Sequence, residues 1–179
     1  MRKQTRPISR VLLTMIVAVL LGVIMVMPVF AKTKTVKPKS MYIKAGVADS
    51  TIIKKAATVK TGTSKIMLPG PKQTCVLKFK APQSKTYTVT FSGLKPSSGN
   101  SLSLGFFSFL TRVSPGTDKL TMKTANTNDG SKTIMFFGSK SGLGSYLTSR
   151  YGKIKLDKGE TLFIYVAGPR GKSVNCKIK

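Results

Sequence analysis

From about Thr58 onward the chain is a series of short runs in which apolar and polar residues alternate. The runs are "SKIML", "TCVLKFKA", "KTYTVTFSGL", "SLSLGFFSFL", "DKLTMKT", "KTIMFFGS", "YGKIKL", "ETLFIYVAG" and "SVNCKIK". Between them sit "PGPKQ", "APQS", "KPSSGN", "SPGT", "NTNDG", "KSGLG", "DKG" and "GPRG", all rich in turn formers. A period of two marks a half-buried strand, and Gly, Pro, Asn and Ser supply the breaks. Many short strands with no convincing helix predict an all-β fold, an antiparallel β-sandwich or jelly roll. No internal repeat is visible.

The alternation also assigns faces. Cys75, Leu77, Phe79 and Ala81 share one side of their run, opposite Val76, Lys78 and Lys80. Val174, Cys176 and Ile178 oppose Asn175, Lys177 and Lys179, and Ile154 and Leu156 oppose Lys153 and Lys155. "RYGKIKLDKGETLFIYVAG" (Arg150 to Gly168) is expected to be a half-buried hairpin, with Gly159 at the positive-φ turn position.

Upstream the pattern is weaker. "MYIKAGVADSTIIKKAATVK" fits either a short helical face of Ile52, Ile53 and Ala56 or an edge strand. "KTKTVKPKS" (Lys32 to Ser40) has almost nothing apolar to bury and reads as a flexible basic leader. Further upstream, "MRKQTRPISR" is basic, "VLLTMIVAVLLGVIMVM" is an uncharged apolar run, and "PVFA" places small residues three and one before a cut after Ala31. That is the layout of a secretory signal, and Pro28 favours cleavage over an uncleaved anchor. The expected division is residues 1–31 signal peptide, 32–57 basic leader and 58–179 β-sandwich domain. The product is expected to be secreted, with no stable membrane span after processing. Neither an apolar tail nor a sorting motif appears in "VNCKIK".

Charge sharpens the expectation. The chain carries 31 basic and 5 acidic residues, for a formal net charge of +26. Four of the basic residues and none of the acids belong to the signal segment. Such a field concentrates anions and repels basic partners. Its plain alternative is a solvated, soluble surface.

"LKFKAPQSKTYTVTFSG", a strand, a Pro-marked corner and a second strand, resembles the bacterial pre-peptidase C-terminal domain and related secreted jelly rolls. "KLDKGETLFIYVAG" is similar to the later hairpin of that family and "SVNCKIK" to its closing strand, so the likeness spans roughly residues 58–179. The resemblance implies a non-catalytic secreted module and leaves function open, because fold does not imply function. The chain departs from the family in having Lys85 where a turn glycine is usual, few acids and no attached peptidase.

The sequence argues against catalysis. There is no histidine, which removes His-based triads and the commonest general base. "SGLK", "SGN" and "KTG" imitate a penicillin-recognising set, but Gly93 and Pro96 make the first a turn and "KTG" comes in the wrong order. "GPRGKS" echoes a phosphate loop but is too short and leads into a strand. Asp157 and Glu160 bracket a tight turn and cannot flank a glycosidic bond from opposite walls. "NTNDG" offers calcium one carboxylate, so an Asx-rich turn is preferred. No cofactor and no metal are expected.

Cys75 and Cys176 form an even pair on inward faces, in a compartment that permits disulfides. Closing a loop of about 100 residues contributes roughly 4.7 kcal/mol in the chain-entropy treatment, so a disulfide is expected; the alternative is two buried thiols. If the two strands pair antiparallel, Lys72, Lys78, Lys80, Lys177 and Lys179 share one outer face, which Lys153 and Lys155 extend or mirror. That set is the expected polyanion site. Tyr146 and Tyr151 are the candidates for an aromatic platform, although no Trp is present and packing is the simpler use of the aromatics. The function expected is a secreted, non-enzymatic module associating with anionic cell-wall polymers or other polyanions. The alternative is a carbohydrate- or protein-binding accessory module whose charge is incidental.

Overall fold

The computed structural model describes residues 33–41, 47–69, 74–96, 102–125, 132–138, 150–169 and 171–179. The signal segment, Lys72 and Tyr146 lie outside the described residues. In chain order the elements are β1 (Lys34–Val36), α1 (Asp49–Lys55), β2 (Ala57–Thr58), β3 (Gly62–Met67), β4 (Thr74–Lys80), β5 (Lys85–Ser92) and β6 (Ser103–Arg112). There follow β7 (Leu120–Met122), β8 (Thr133–Gly138), β9 (Arg150–Leu156), β10 (Thr161–Ala167) and β11 (Ser173–Ile178). One sheet has the order β1-β3-β11-β5-β9; the other runs β2-β4-β10-β6-β7, with β8 also paired to β6. The fold is an all-β sandwich. Pairing is antiparallel except for β1 with β3 and β2 with β4, which are parallel.

Alternation builds the core as expected. Leu77 and Phe79 of β4, Phe107 and Phe109 of β6, and Leu162, Ile164 and Val166 of β10 face Ile66, Tyr87, Val89, Phe91, Ile154, Leu156, Val174 and Ile178 of the other sheet. Rings concentrate at the centre: Phe91 lies 4.5 Å from Phe107 and 5.2 Å from Phe136, centroid to centroid. At one end of the sandwich, Phe79 meets Tyr87 edge to face at 5.0 Å. The Tyr87 hydroxyl then donates to the Gln83 carbonyl at 2.9 Å, so a buried phenol holds the β4–β5 turn.

A second, smaller cluster covers the outer side of the β4 sheet. Met41, Ile52 and Ala56 pack on Val76 and Phe163, with Leu110 and Tyr165 alongside. This explains why "TLFIYVA" is a continuous apolar run: β10 is buried on both faces. The ambiguous upstream segment contains both of its alternatives, the helix α1 and the short parallel strand β2. Among the described residues, no helix is long and apolar enough to cross a membrane.

Three expectations are corrected. The stretch around Gly159 is not a hairpin: β9 pairs with β5 in one sheet, while β10 pairs with β4 and β6 in the other. Gly159 does take φ +86°, but its turn carries the chain from sheet to sheet, beside the β4–β5 corner that makes the same crossing. Hydrogen bonds from Gly159 N–H to the Ala81 carbonyl and from Ala81 N–H to the Glu160 carbonyl, both 2.8 Å, stitch the two corners together. Secondly, Cys75 and Cys176 form no disulfide. Cys75 pairs with Val166, and Cys176 sits between Ser64 and Phe91, so the two belong to opposite sheets. Burial pushes both thiols up to about 12, and thiolate is scarce at neutral pH. Thirdly, the segment read as a flexible leader contributes β1, which buries Val36 against β3, and then Met41, which exchanges backbone hydrogen bonds with Thr74. A parallel edge strand draws its hold from backbone pairing, which composition does not reveal.

Candidate functional site

Charge and shape come together on the outer face of the β1-β3-β11-β5-β9 sheet. In β5, Thr86, Thr88, Thr90 and Ser92 alternate with buried Tyr87, Val89 and Phe91, so the hydroxyls form an outward column. Lys155 stands across from Thr86 on β9, and Lys153 from Thr88. On the β11 side, Lys179 exchanges backbone hydrogen bonds with Thr88, and Lys177 is registered with Thr90. Lys65 of β3, across from Asn175, adds a further cation. None of these five strands contains an acidic residue. Lysines two strands apart stand about 10 Å from each other, where repulsion through water is roughly 0.4 kcal/mol. The face tolerates its own charge and keeps a field that attracts anions.

The seven candidate lysines are thus divided. Lys153, Lys155, Lys177 and Lys179 share this face. Lys78 and Lys80 point from β4 onto the opposite side of the sandwich, where Lys78 is half-buried beside β2 and registered with Phe163. The single face expected from pairing Cys75 with Cys176 does not form, because β4 and β11 are in different sheets. The hydroxyl column was not singled out in the sequence, although "KTYTVTFS" carries its signal, a hydroxyl at every second position.

Tyr151 borders the face at the β9 edge, 41 % exposed, with the Lys153 ammonium 6.0 Å from its ring centroid. The other aromatics divide as the alternation requires. Phe107 and Phe136 are fully buried, whereas Phe106 and Phe137 are half-exposed on the far face beside Leu104 and Met135.

Three of the four described carboxylates serve the framework. Asp49 opens α1 and accepts from the Leu120 N–H at 2.8 Å, tying the helix to β7. Asp118 pairs with Arg112 at 3.2 Å, and that guanidinium also donates to the Thr117 carbonyl. Glu160 accepts from Lys123 Nζ at 2.7 Å, Thr111 Oγ1 at 3.1 Å and the Asp157 N–H at 3.0 Å. A cleft of about 560 Å³ lies between the β6–β7 and β9–β10 turns, with Arg112, Lys158, Asp157 and Glu160 in its lining. Arg112 and Glu160 are engaged by the partners named above, whereas Asp157 and Lys158 are exposed. Among the described residues no group of His, Cys, Asp or Glu could hold a metal.

Partial burial pushes the Glu160 carboxyl upward, but the Lys123 ammonium and the Asp157 N–H outweigh it and hold the carboxyl below its usual range. A carboxyl depressed on folding stabilises the fold above its unfolded value, and the contribution is lost as pH falls through the lower, folded value. Glu160→Gln should therefore reduce the melting temperature at neutral pH. The difference from the parent should shrink toward zero as the pH drops below the ordinary glutamate range near 4.3. Thermal melts across that interval check it; a difference independent of pH would contradict it.

No family model matches the chain, and no curated protein matches it. Among solved structures, the pre-peptidase C-terminal domain of collagenase from Bacillus anthracis aligns at 12 % identity with a TM-score of 0.35, covering 69 % of this chain and 94 % of that one. A tryptic-core variant of Cry1Da from Bacillus thuringiensis aligns at 13 % identity with a TM-score of 0.26, covering 82 % of this chain and 24 % of that one. At these scores neither likeness bears on function, which must be argued from the sandwich and its charged face.

Proposed function

We propose that the chain is an exported, non-enzymatic module that associates electrostatically with anionic cell-envelope polymers or other polyanions. The face bearing Lys153, Lys155, Lys177 and Lys179, whose five strands contain no acid, carries this reading, because such an array of cations releases the counterions of a polyanion laid on it. Each neutralised anion on a single-stranded polymer contributes about 0.7 to the logarithmic salt slope. Replacing those four lysines with Gln should flatten the slope for binding purified anionic wall polymer by roughly 3. The control, Lys78→Gln with Lys80→Gln, should change it much less, since those side chains lie on the other side. Equal slopes for the parent and the quadruple variant would reduce the lysines to a solvated face.

A second reading, an accessory module that contacts protein or carbohydrate with incidental charge, draws on the outward Leu104, Phe106, Met135 and Phe137. Leu104 and Met135 are 37 % and 48 % exposed. Binding that is indifferent to salt would favour it.

A further inference from the structure

The lysine-bearing face is not uniformly tall. The β5 column consists of Thr and Ser, which end at the γ position, while the lysines on β9 and β11 extend four carbons and an ammonium beyond the backbone. Short side chains between long ones make a shallow trough with a hydroxyl floor and cationic walls, running along β5. Its walls are two strand spacings apart, about 10 Å. That width admits one extended polymer chain and excludes a duplex from the floor.

The trough also has a period. Floor hydroxyls recur every second residue at Thr86, Thr88 and Thr90, and the cations do so at Lys153 and Lys155 and at Lys177 and Lys179. Two residues of extended backbone contain six bonds and span about 6.6–7.2 Å. A polyol phosphate with a three-carbon unit also has six backbone bonds per repeat, so its phosphates recur at nearly the same interval. Each phosphate then meets a hydroxyl donor beneath and an ammonium beside it. The ammonium acts as a point charge and suits tetrahedral oxygens without demanding a fixed fork.

Single-stranded nucleic acid has the same six-bond repeat, but its bases require stacking surfaces. Along the trough the described residues offer Tyr151 alone, at the border. Resting on the polyanion reading above, we infer that this trough binds one extended polyol-phosphodiester chain along β5, with Thr86, Thr88 and Thr90 donating hydrogen bonds to successive phosphates.

The test compares the parent with the triple variant Thr86→Val, Thr88→Val, Thr90→Val, which keeps every charge and the β-branched shape. Circular dichroism and melting establish that the variant is folded. Binding is measured to poly(glycerol phosphate) of defined length and to single-stranded and duplex DNA of equal charge, over a range of salt. The parent should prefer poly(glycerol phosphate). The variant should lose about tenfold or more in affinity for it, as befits lost hydrogen bonds to charged acceptors, while its salt slope is unchanged. Unaltered affinity in the variant, or a parent preference for either DNA, would overturn the trough assignment and leave the general polyanion reading standing. A parent that binds none of the three in a salt-sensitive way would remove both. If the triple variant proves unfolded, Thr88→Val alone gives the same comparison at the central position.

Discussion

Phe107→Ala should lower the free energy of unfolding by about 3–5 kcal/mol, the range for removing a fully buried phenylalanine. Phe107 is wholly enclosed, with ring centroids 4.5 Å from Phe91 across the sandwich, 5.7 Å from Phe109 and 6.2 Å from Phe136. Truncation removes the transfer term for the ring and leaves a void between two sheets that backbone pairing holds apart. Domains of this kind have only about 5–15 kcal/mol in hand, so the loss should be plain in a denaturant titration. The adjacent Phe106→Ala provides the contrast. Phe106 faces outward and is half-exposed, so its loss should be well under half as large. Equal losses at the two positions would contradict the assignment of faces in β6.

Gly105→Ala should also be strongly destabilising, for the opposite reason. Gly105 is registered directly opposite Phe136, whose ring lies over it. A Cβ added there would sit 2.2 Å from Phe136 Cζ and 2.5 Å from Cε2. The ring cannot swing clear, because it is fully buried and stacked on Phe91 at 5.2 Å. Overpacking of this kind costs typically about 1–3 kcal/mol, sometimes more. The test is a double-mutant cycle with Phe136→Leu, which removes the ring that the new methyl would strike. The two changes should be less harmful together than their sum, with a coupling of about 0.5–3 kcal/mol. Strict additivity would mean that the glycine is not reserved for the ring.

These two positions show what local pattern reveals. The alternation in "SLSLGFFSFL" sets Phe106 and Phe107 on opposite faces without saying which is buried, whereas in the other runs it places Cys75, Leu77, Cys176 and Ile154 inward, as found. Each of the nine runs singled out by their pattern contains a strand. Periodicity reports which way a side chain points from its own strand, not which sheet holds that strand or what lies beside it. Cys75 and Cys176 both point inward, yet they do so from opposite walls of the core. The same blindness merged the lysines of β4 with those of β11, although the core separates them. β9 and β10 look like a hairpin because Gly159 makes a tight turn; only pairing at a distance, with β5 and with β4 and β6, shows that the turn is a corner. The hydroxyl column of β5 is written plainly in "KTYTVTFS", but its walls come from residues more than sixty positions away.

The parallel edge strand also bears on how the chain could be cut and rejoined. Lys34 is registered with Ser64, and Ser64 with Cys176, so the chain enters this sheet only two strands from where β11 finishes. A short Gly/Ser linker from Lys179 to Thr33 would have about 10 Å to cross plus the overhang of the last residues. New ends opened in the exposed β6–β7 turn at Ser114–Gly116 would interrupt no strand. The resulting circular permutant would keep every strand pair while reversing which elements leave the ribosome first, with β7 through β11 emerging before β1. A sandwich whose lysine-bearing sheet is completed by its earliest strand would then be completed by a middle one, which separates the order of synthesis from the order of strands in space.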